Sequence, residues 1–166
     1  MYKRQTQSFV AGFAEVEVDV ETGEYRILDY LAVADVGIVL HPRGLEGQLH
    51  GGAIQGIGHL RGQKWVYDEQ YGVALAKRFH YNKPPTMLDM PLTMTWEAVG
   101  IPDPQTPVGA KWTGEAAMGA GSAAALCAIA DAIGDDLLRR TPATPDMIVA
   151  SLEAGKRVDA GLTTHV

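Results

Sequence analysis

Hydrophobic and polar residues alternate in the first structured stretch of the chain. Over residues 9–20, apolar side chains are interleaved with acidic ones, and a period of two is typical of a half-buried β-strand. The sequence Glu-Thr-Gly-Glu at 21–24 indicates a turn, and residues 25–36 return to β-branched and aromatic side chains. The two stretches therefore predict a β-hairpin.

A long apolar helix is predicted in the last third of the chain. Residues 116–133 are rich in alanine and carry no charge before Asp131, and their apolar positions run almost all the way round a helix. This pattern predicts a helix that is buried on most faces and that ends at Gly134. Gly119 and Gly121 each cost about 1 kcal/mol relative to alanine in a helix interior, so we expect another element to pack against the backbone there.

The glycine-rich stretch at residues 44–59 has two interpretations. Its glycine content opposes a helix by propensity, but Gln48, Gly52, Gln55 and His59 have the spacing of one helical face. As a helix it would present amide side chains separated by bare backbone, which suits a flat ligand with mixed hydrogen-bonding groups. The alternative is a close helix crossing that small residues permit. The spacing alone leaves both open.

The remaining elements complete an α+β fold. Residues 65–72 read as a strand that leads into a turn, and residues 92–99 as a further short strand. Thr144 and Pro145 have the residue types of a helix start, which predicts a last helix to residue 154. Strands followed by an apolar helix predict that the helix packs under the sheet formed by the hairpin.

Composition limits the classes of protein that the chain can represent. Its 166 residues, 46 % of them hydrophobic and 20 % charged, suit one domain. The net charge of −6 argues against nucleic acid as a partner. One cysteine, Cys127, falls within the apolar helix and rules out a disulfide framework. No apolar run is seen to reach the roughly 18 residues that span a bilayer, so we predict a soluble, cytoplasmic protein, and the sequence leaves a periplasmic location open.

The first residues differ in character from the rest. Met-Tyr-Lys-Arg-Gln at 1–5 is the translation of a transposon-end sequence used in preparing sequencing libraries, read from a GTG start. Our hypothesis is that residues 1–7 are a non-native or disordered start on a truncated gene product, the alternative being a genuine short basic start. The predicted domain is then 8–156, followed by a loose tail at 157–166.

Glu115 is a single acid between glycines and the apolar helix. On local grounds it is an acid at a helix start, which the helix dipole favours. However, Lys-Trp-Thr-Gly-Glu at 111–115 resembles the K-x-x-G-E signature of the xanthine dehydrogenase and aldehyde oxidase family of molybdenum hydroxylases. The hairpin, the G-Q-x-x-G-x-x-x-Q-G pattern at 47–56 and the proline-broken run at 79–91 resemble the same family. Ala116 and Ala117 stand where the family has two prolines.

The resemblance implies a role for each matching residue. It makes Glu115 the catalytic base, and Gln48 the amide that contacts the pterin. It places Gln55, Gly52, Lys111 and Gly114 in the cofactor-binding region. It further implies that no side chain coordinates the metal, because the pterin dithiolene holds the molybdenum. We therefore expect the glycine-rich stretch to approach the Glu115 loop, with Gln48 and Glu115 on one cleft.

The resemblance also implies an activity and a set of partners. The family hydroxylates an aldehyde or N-heteroaromatic carbon with water as the oxygen source. The matching region is the C-terminal part of the molybdopterin-binding large subunit, and the cofactor is molybdopterin or its cytosine dinucleotide form. Iron–sulfur and FAD centres would lie on other chains or domains, since one cysteine cannot hold a cluster. The remainder of the large subunit would be the main partner, and the chain alone should be inactive with some apolar surface open.

Two other classes of protein are compatible with parts of the sequence. The chain could be a non-catalytic structural or assembly subunit of such a complex. Alternatively, residues 119–124 match the G-x-G-x-x-A fingerprint of a nicotinamide dinucleotide-binding domain. That fingerprint should directly follow a strand, and residues 114–118 intervene.

Overall fold

The computed structural model describes residues 7–158. It has an α+β fold, as predicted. The predictions for residues 1–6 and 159–166 lie outside the described part. In chain order the elements are β1 (Phe9–Val18), β2 (Tyr25–Asp35), α1 (Pro42–Arg61), a 3-10 turn (Met87–Asp89), β3 (Thr93–Val99), α2 (Glu115–Ile133) and α3 (Pro145–Ala154).

The three strands form one sheet in the order β1-β2-β3. β1 and β2 pair antiparallel from Phe9 opposite Asp35 to Val18 opposite Tyr25, with a register shift at Glu15. The predicted hairpin is therefore confirmed. β3 pairs with β2 in parallel, so β1 and β3 are the two edges of the sheet among the described residues.

The core lies between this sheet and the helices. α2 packs on β1 and β2, and α1 packs on α2. One apolar cluster centres on Tyr30 and Leu49, and a second joins Tyr25 and Ile57 to α3 through Ile148. Small alanine side chains on β2 and α2 let the helices approach the sheet closely, and the helix α2 packs under the hairpin as predicted.

Glycines on α1 make the crossing with α2 possible. A Cβ atom added to Gly52 would lie 2.6 Å from the Cβ of Ala117, and one added to Gly56 would overlap the carbonyl oxygen of Met118. Real Cβ atoms do not tolerate such distances, so these two positions accept only glycine without a shift of a helix. The close helix crossing considered for the glycine-rich stretch is therefore present.

The two glycines on α2 differ in role. A Cβ on Gly121 would lie 2.6 Å from the carbonyl oxygen of Ala53 on α1, so the backbones meet there as the sequence predicted. Gly119 is exposed and has nothing within 4 Å of its missing Cβ. The predicted packing against Gly119 is therefore wrong within the described residues, because α1 crosses α2 on the other side of the helix.

Burial of α2 is restricted to one side. The predicted burial on most faces is wrong within residues 7–158, and Cys127 lies on an exposed side of α2 rather than in the core. The apolar pattern continues round α2, but elements of residues 7–158 cover only one stripe. By its length and its mean hydropathy of 1.6, α2 is long and apolar enough to cross a membrane, so the prediction that no apolar run reaches about 18 residues is wrong. Core helices of soluble proteins meet the same criteria. The buried residues of α2 are Ala117, Gly121, Ala125, Ile129 and Ala130.

The long connection from α1 to β3 contains no strand. The predicted strand at 65–72 is wrong: Tyr67 forms only an isolated bridge with Ala74, and the backbone hydrogen bonds between 66–68 and 73–75 are too few to make a strand. The connection is instead fixed near its end, where Arg61 pairs with Asp89 at 3.2 Å and lies over the ring of Tyr25. β3 and α3 lie where the sequence predicted them.

Candidate functional site

The glycine-rich stretch is helical because its N-terminus is capped and because it packs closely on α2. The Nδ1 atom of His41 accepts a hydrogen bond from the backbone N–H of Gly44 at 2.7 Å and so caps α1. Pro42 occupies the first turn, where its missing N–H has no consequence. Together with the crossing at Gly52 and Gly56, these features outweigh the low helix propensity of the glycines. α1 therefore carries its amide side chains on a rigid element.

The loop that leads into α2 is attached to the end of β2. The N–H of Ile38 donates to the carbonyl of Gly109 at 3.0 Å, and the N–H of Lys111 donates to the carbonyl of Val36 at 2.8 Å. Gly109 has a φ of 70°, a conformation that favours glycine. These contacts bring the first residue of α2, Glu115, to the same end of the fold as the first half of α1.

One cleft of about 460 Å³ lies between α1 and the start of α2. The structure places Gln48 and Glu115 on it together. Five of the six residues that the sequence singled out for a site line it, and Lys111 does not. The full lining comprises Gly47, Gln48, Gly51, Gly52, Gln55, Trp112, Gly114, Glu115 and Met118.

The glycines of this cleft fall into two groups. Gly52 is required by the contact with Ala117 described above. By contrast, a Cβ on Gly47, Gly51 or Gly114 would meet nothing within 4 Å. Packing within residues 7–158 therefore does not explain the absence of side chains at these three positions. They leave bare backbone on the cleft, beside the exposed amides of α1.

Glu115 is the first residue of α2 and is exposed to the cleft. Gly114 before it has φ −165° and ψ −88° and offers no side-chain cap. The position suits a carboxylate, since the partial positive charge of a helix N-terminus favours an anion. Within residues 7–158 the side chain of Glu115 has no hydrogen-bond or ion-pair partner, so its oxygens are available to a ligand.

Lys111 lies beside the cleft rather than on it. Its Nζ atom is 2.6 Å from Oδ2 of Asp35, and only 12 % of its side chain is exposed. It lines a neighbouring depression of about 170 Å³, which also reaches Gln48 and Thr113. The ammonium group is thus engaged with β2.

Four residues that line the cleft were not singled out from the sequence: Gly47, Gly51, Trp112 and Met118. Trp112 is 53 % exposed, and its signal was a large aromatic residue immediately before the glycine and the acid. His59, which shares the helical spacing of the amides, does not line the cleft; its Nδ1 atom lies 3.3 Å from the carbonyl of Gln63. Across residues 7–158 no group of three or more His, Cys, Asp and Glu side chains could hold a metal ion.

The dinucleotide-binding alternative is wrong on structural grounds. Residues 119–124 lie inside α2, which begins at Glu115, whereas a phosphate-binding glycine turn joins a strand to a helix. The preceding strand, β3, ends at Val99. Gly121 serves the crossing with α1 instead.

Comparisons with known proteins identify the family of the chain. Residues 2–91 match the family model of a molybdopterin cofactor-binding domain. The gamma subunit of the 6-hydroxypseudooxynicotine dehydrogenase complex from Paenarthrobacter nicotinovorans is 34 % identical over 135 residues, which are 81 % of this chain and 17 % of the relative.

Solved structures give the same result. Quinoline 2-oxidoreductase from Pseudomonas putida 86 superposes with a TM-score of 0.75 at 33 % identity, over 83 % of this chain and 18 % of that one. The Cu,Mo-CO dehydrogenase superposes with a TM-score of 0.79 at 30 % identity, over 89 % and 18 %. The chain spans less than a fifth of the length of these relatives.

The matched family model and the shared fold define a molybdopterin cofactor-binding domain. The chain belongs to the xanthine dehydrogenase and aldehyde oxidase family of molybdenum hydroxylases, and it corresponds to a fragment of their large subunit.

Proposed function

We propose that this chain supplies the catalytic base and part of the pterin site of a molybdenum hydroxylase. The reaction is the hydroxylation of an aldehyde or N-heteroaromatic carbon with water as the source of oxygen. The observation that carries this proposal is the shared cleft, which Glu115 lines together with Gln48, Gln55 and bare glycine backbone.

The cleft fits a pterin in shape and in hydrogen-bonding character. The open space at Gly47, Gly51 and Gly114 admits a flat ring against the backbone. A glutamine amide both donates and accepts hydrogen bonds, so Gln48 and Gln55 suit the mixed polar edge of a pterin. In this proposal these residues hold the cofactor, as molybdopterin or its cytosine dinucleotide form.

Glu115 would act on a proton. When bound, the cofactor supplies a metal centre that activates water as a nucleophile and takes up the electrons of the oxidation. The carboxylate of Glu115 would accept the proton that this activation releases, which is general-base catalysis.

The rest of the enzyme would be supplied by other segments. Large apolar side chains are exposed on this chain, including Phe9 at 61 %, Trp65 at 76 % and Phe79 at 80 %. Patches of this kind mark surfaces that a partner covers. We propose that the remainder of the large subunit covers them and that 2Fe-2S and FAD centres lie on further chains or domains. The chain alone would then be inactive.

Replacement of the base tests this function directly. In the complete enzyme, Glu115→Gln keeps size and hydrogen bonding but cannot accept a proton. We expect near-normal molybdenum and pterin content and a loss of about 10²- to 10⁴-fold in turnover per bound molybdenum. Glu153→Gln, at an exposed position on α3, serves as the matched control and should be neutral. Unchanged turnover per bound molybdenum in Glu115→Gln would show that Glu115 is only an acid at a helix start. It would favour the alternative in which the chain is a non-catalytic, structural subunit.

A further inference from the structure

Lys111 has a buried contact that the proposed function does not use. Its ammonium group is held by Asp35, which lies 76 positions earlier at the end of β2, at a distance of 2.6 Å. We propose that this ion pair makes Lys111 a positioning residue for Glu115, which acts through the loop and touches no cofactor. The proposal rests on Glu115 being the base.

The loop before α2 is attached to the end of β2 over the part that ends at Lys111. Up to Lys111 it is bonded to the end of β2 through the N–H of Lys111 itself, the N–H of Ile38 and a bridge between Gly37 and Ala110. Further along the loop, Thr113 has a buried hydroxyl without a hydrogen-bond partner, and Gly114 brings no side-chain cap. Lys111 therefore ends the part of the loop that is bonded to β2, four residues before the proposed base.

Two anchors then determine where the carboxylate of Glu115 lies. On the helix side, Ala117 is fixed against Gly52 by the close crossing. On the loop side, the ion pair of Lys111 and Asp35 fixes the chain four residues before Glu115. A small number of loop residues between two fixed points has little freedom, so loss of either anchor shifts the carboxylate relative to Gln48.

The surroundings of Lys111 argue against a direct contact with the cofactor. Its side chain lines the neighbouring depression, not the cleft of Glu115. Its charge is already paired with the carboxylate of Asp35, and that side chain is itself only 31 % exposed.

The test compares Lys111→Met, Asp35→Asn and the double variant in the complete enzyme. Amide hydrogen exchange of peptides that cover 112–118 reports the anchoring whether or not the chemistry is as proposed. We expect about ten-fold faster exchange there in each single variant and no change across α1. Turnover per bound molybdenum should fall about 10- to 100-fold, the scale of a misplacement of about 1 Å, with normal molybdenum content. The double variant should resemble either single one, since both remove the same contact.

Controls separate this proposal from the proposed function. Lys111→Arg, which keeps the charge, should restore slow exchange, and Lys77→Met, at an exposed lysine, should change nothing. Should Lys111→Met fail to accumulate, Asp35→Asn carries the same test, because it keeps the size of the side chain. Unchanged exchange at 112–118 overturns the positioning role even if Glu115→Gln is inactive. Loss of cofactor in Lys111→Met alone, or multiplied losses in the double variant, also overturns it. Fast exchange at 112–118 together with a fully active Glu115→Gln variant would show that Glu115 is not the catalytic base, while the ion pair of Lys111 and Asp35 still holds the loop in place.

Discussion

Two glycines on one helix provide a matched pair that separates packing from ligand binding. On α1, a Cβ at Gly56 would overlap the carbonyl oxygen of Met118 and lie 2.7 Å from the amide nitrogen of Ser122. A Cβ at Gly51, less than two turns away, would meet nothing within 4 Å. Alanine at either position therefore changes the backbone in the same way but meets opposite surroundings.

The expected free energies follow from these distances. Replacing glycine by alanine in a helix stabilises it by about 0.5–1 kcal/mol, and this gain is common to both variants. Gly51→Ala should show it in full. Gly56→Ala must also separate two backbones, and overpacking of this kind costs typically about 1–3 kcal/mol or more. The two variants should therefore differ in free energy of unfolding by about that cost, with Gly56→Ala the less stable.

Two measurements check this prediction. Urea unfolding followed by far-ultraviolet circular dichroism gives the two free energies, and metal and pterin analysis of the complete enzyme gives cofactor content. Gly51→Ala should be more stable than the parent and yet hold less cofactor, because its methyl group enters the proposed pterin cradle. Equal stability of the two variants would refute the packing argument for Gly56. Full cofactor content in Gly51→Ala would refute the cradle.

Further predictions concern binding and pH. Gln48→Ala should lower cofactor content without lowering turnover per bound molybdenum, since it leaves polar groups of the pterin unpaired; metal analysis beside activity checks this. Burial raises the pKa of Tyr25 to about 12 against an opposing effect of Arg61, so stability is full below pH about 10 and falls by roughly 2–3 kcal/mol as pH rises towards 12. Alkaline unfolding of Tyr25→Phe should lack that fall. The backbone N–H of Thr86 holds the pKa of Asp89 below its usual value, so its contribution is present above pH about 4 and lost on acidification. Acid unfolding of Asp89→Asn should accordingly be less steep.

Local patterns predicted those elements whose cause is local. The alternation in β1 and the turn after it predicted the hairpin, and Thr144 with Pro145 predicted α3. Helix propensity alone does not predict α1. Its glycines oppose a helix, and only the spacing of Gln48 and Gln55 indicated one. The helix is stabilised by the His41 cap and by the crossing with α2, and these contacts are seen only in the folded structure.

Ion pairing, strand pairing and the exposed side of α2 could not be predicted from the sequence, because they depend on segments that are distant along the chain. Asp35 is paired with Lys111 across 76 positions, and nothing in either neighbourhood selects the other. Residues 65–72 have a strand-like composition, but within residues 7–158 they pair only through one isolated bridge to Ala74. Cys127 sits in an apolar pattern that continues round α2, and such a pattern cannot say which faces the same chain covers. Gln48 and Glu115 were expected on one cleft because each matched a motif of the same family.

The open edge of the sheet has a practical consequence for the isolated chain. On its outer side β1 pairs with no other part of residues 7–158, and it exposes Phe9 and Phe13 at 61 % and 58 %. An uncovered edge strand with apolar side chains is a template on which another strand can add. Material produced without its covering segments will therefore tend to associate as its concentration rises, and this will limit yield and solubility. Co-production with the segments that cover β1 is the remedy.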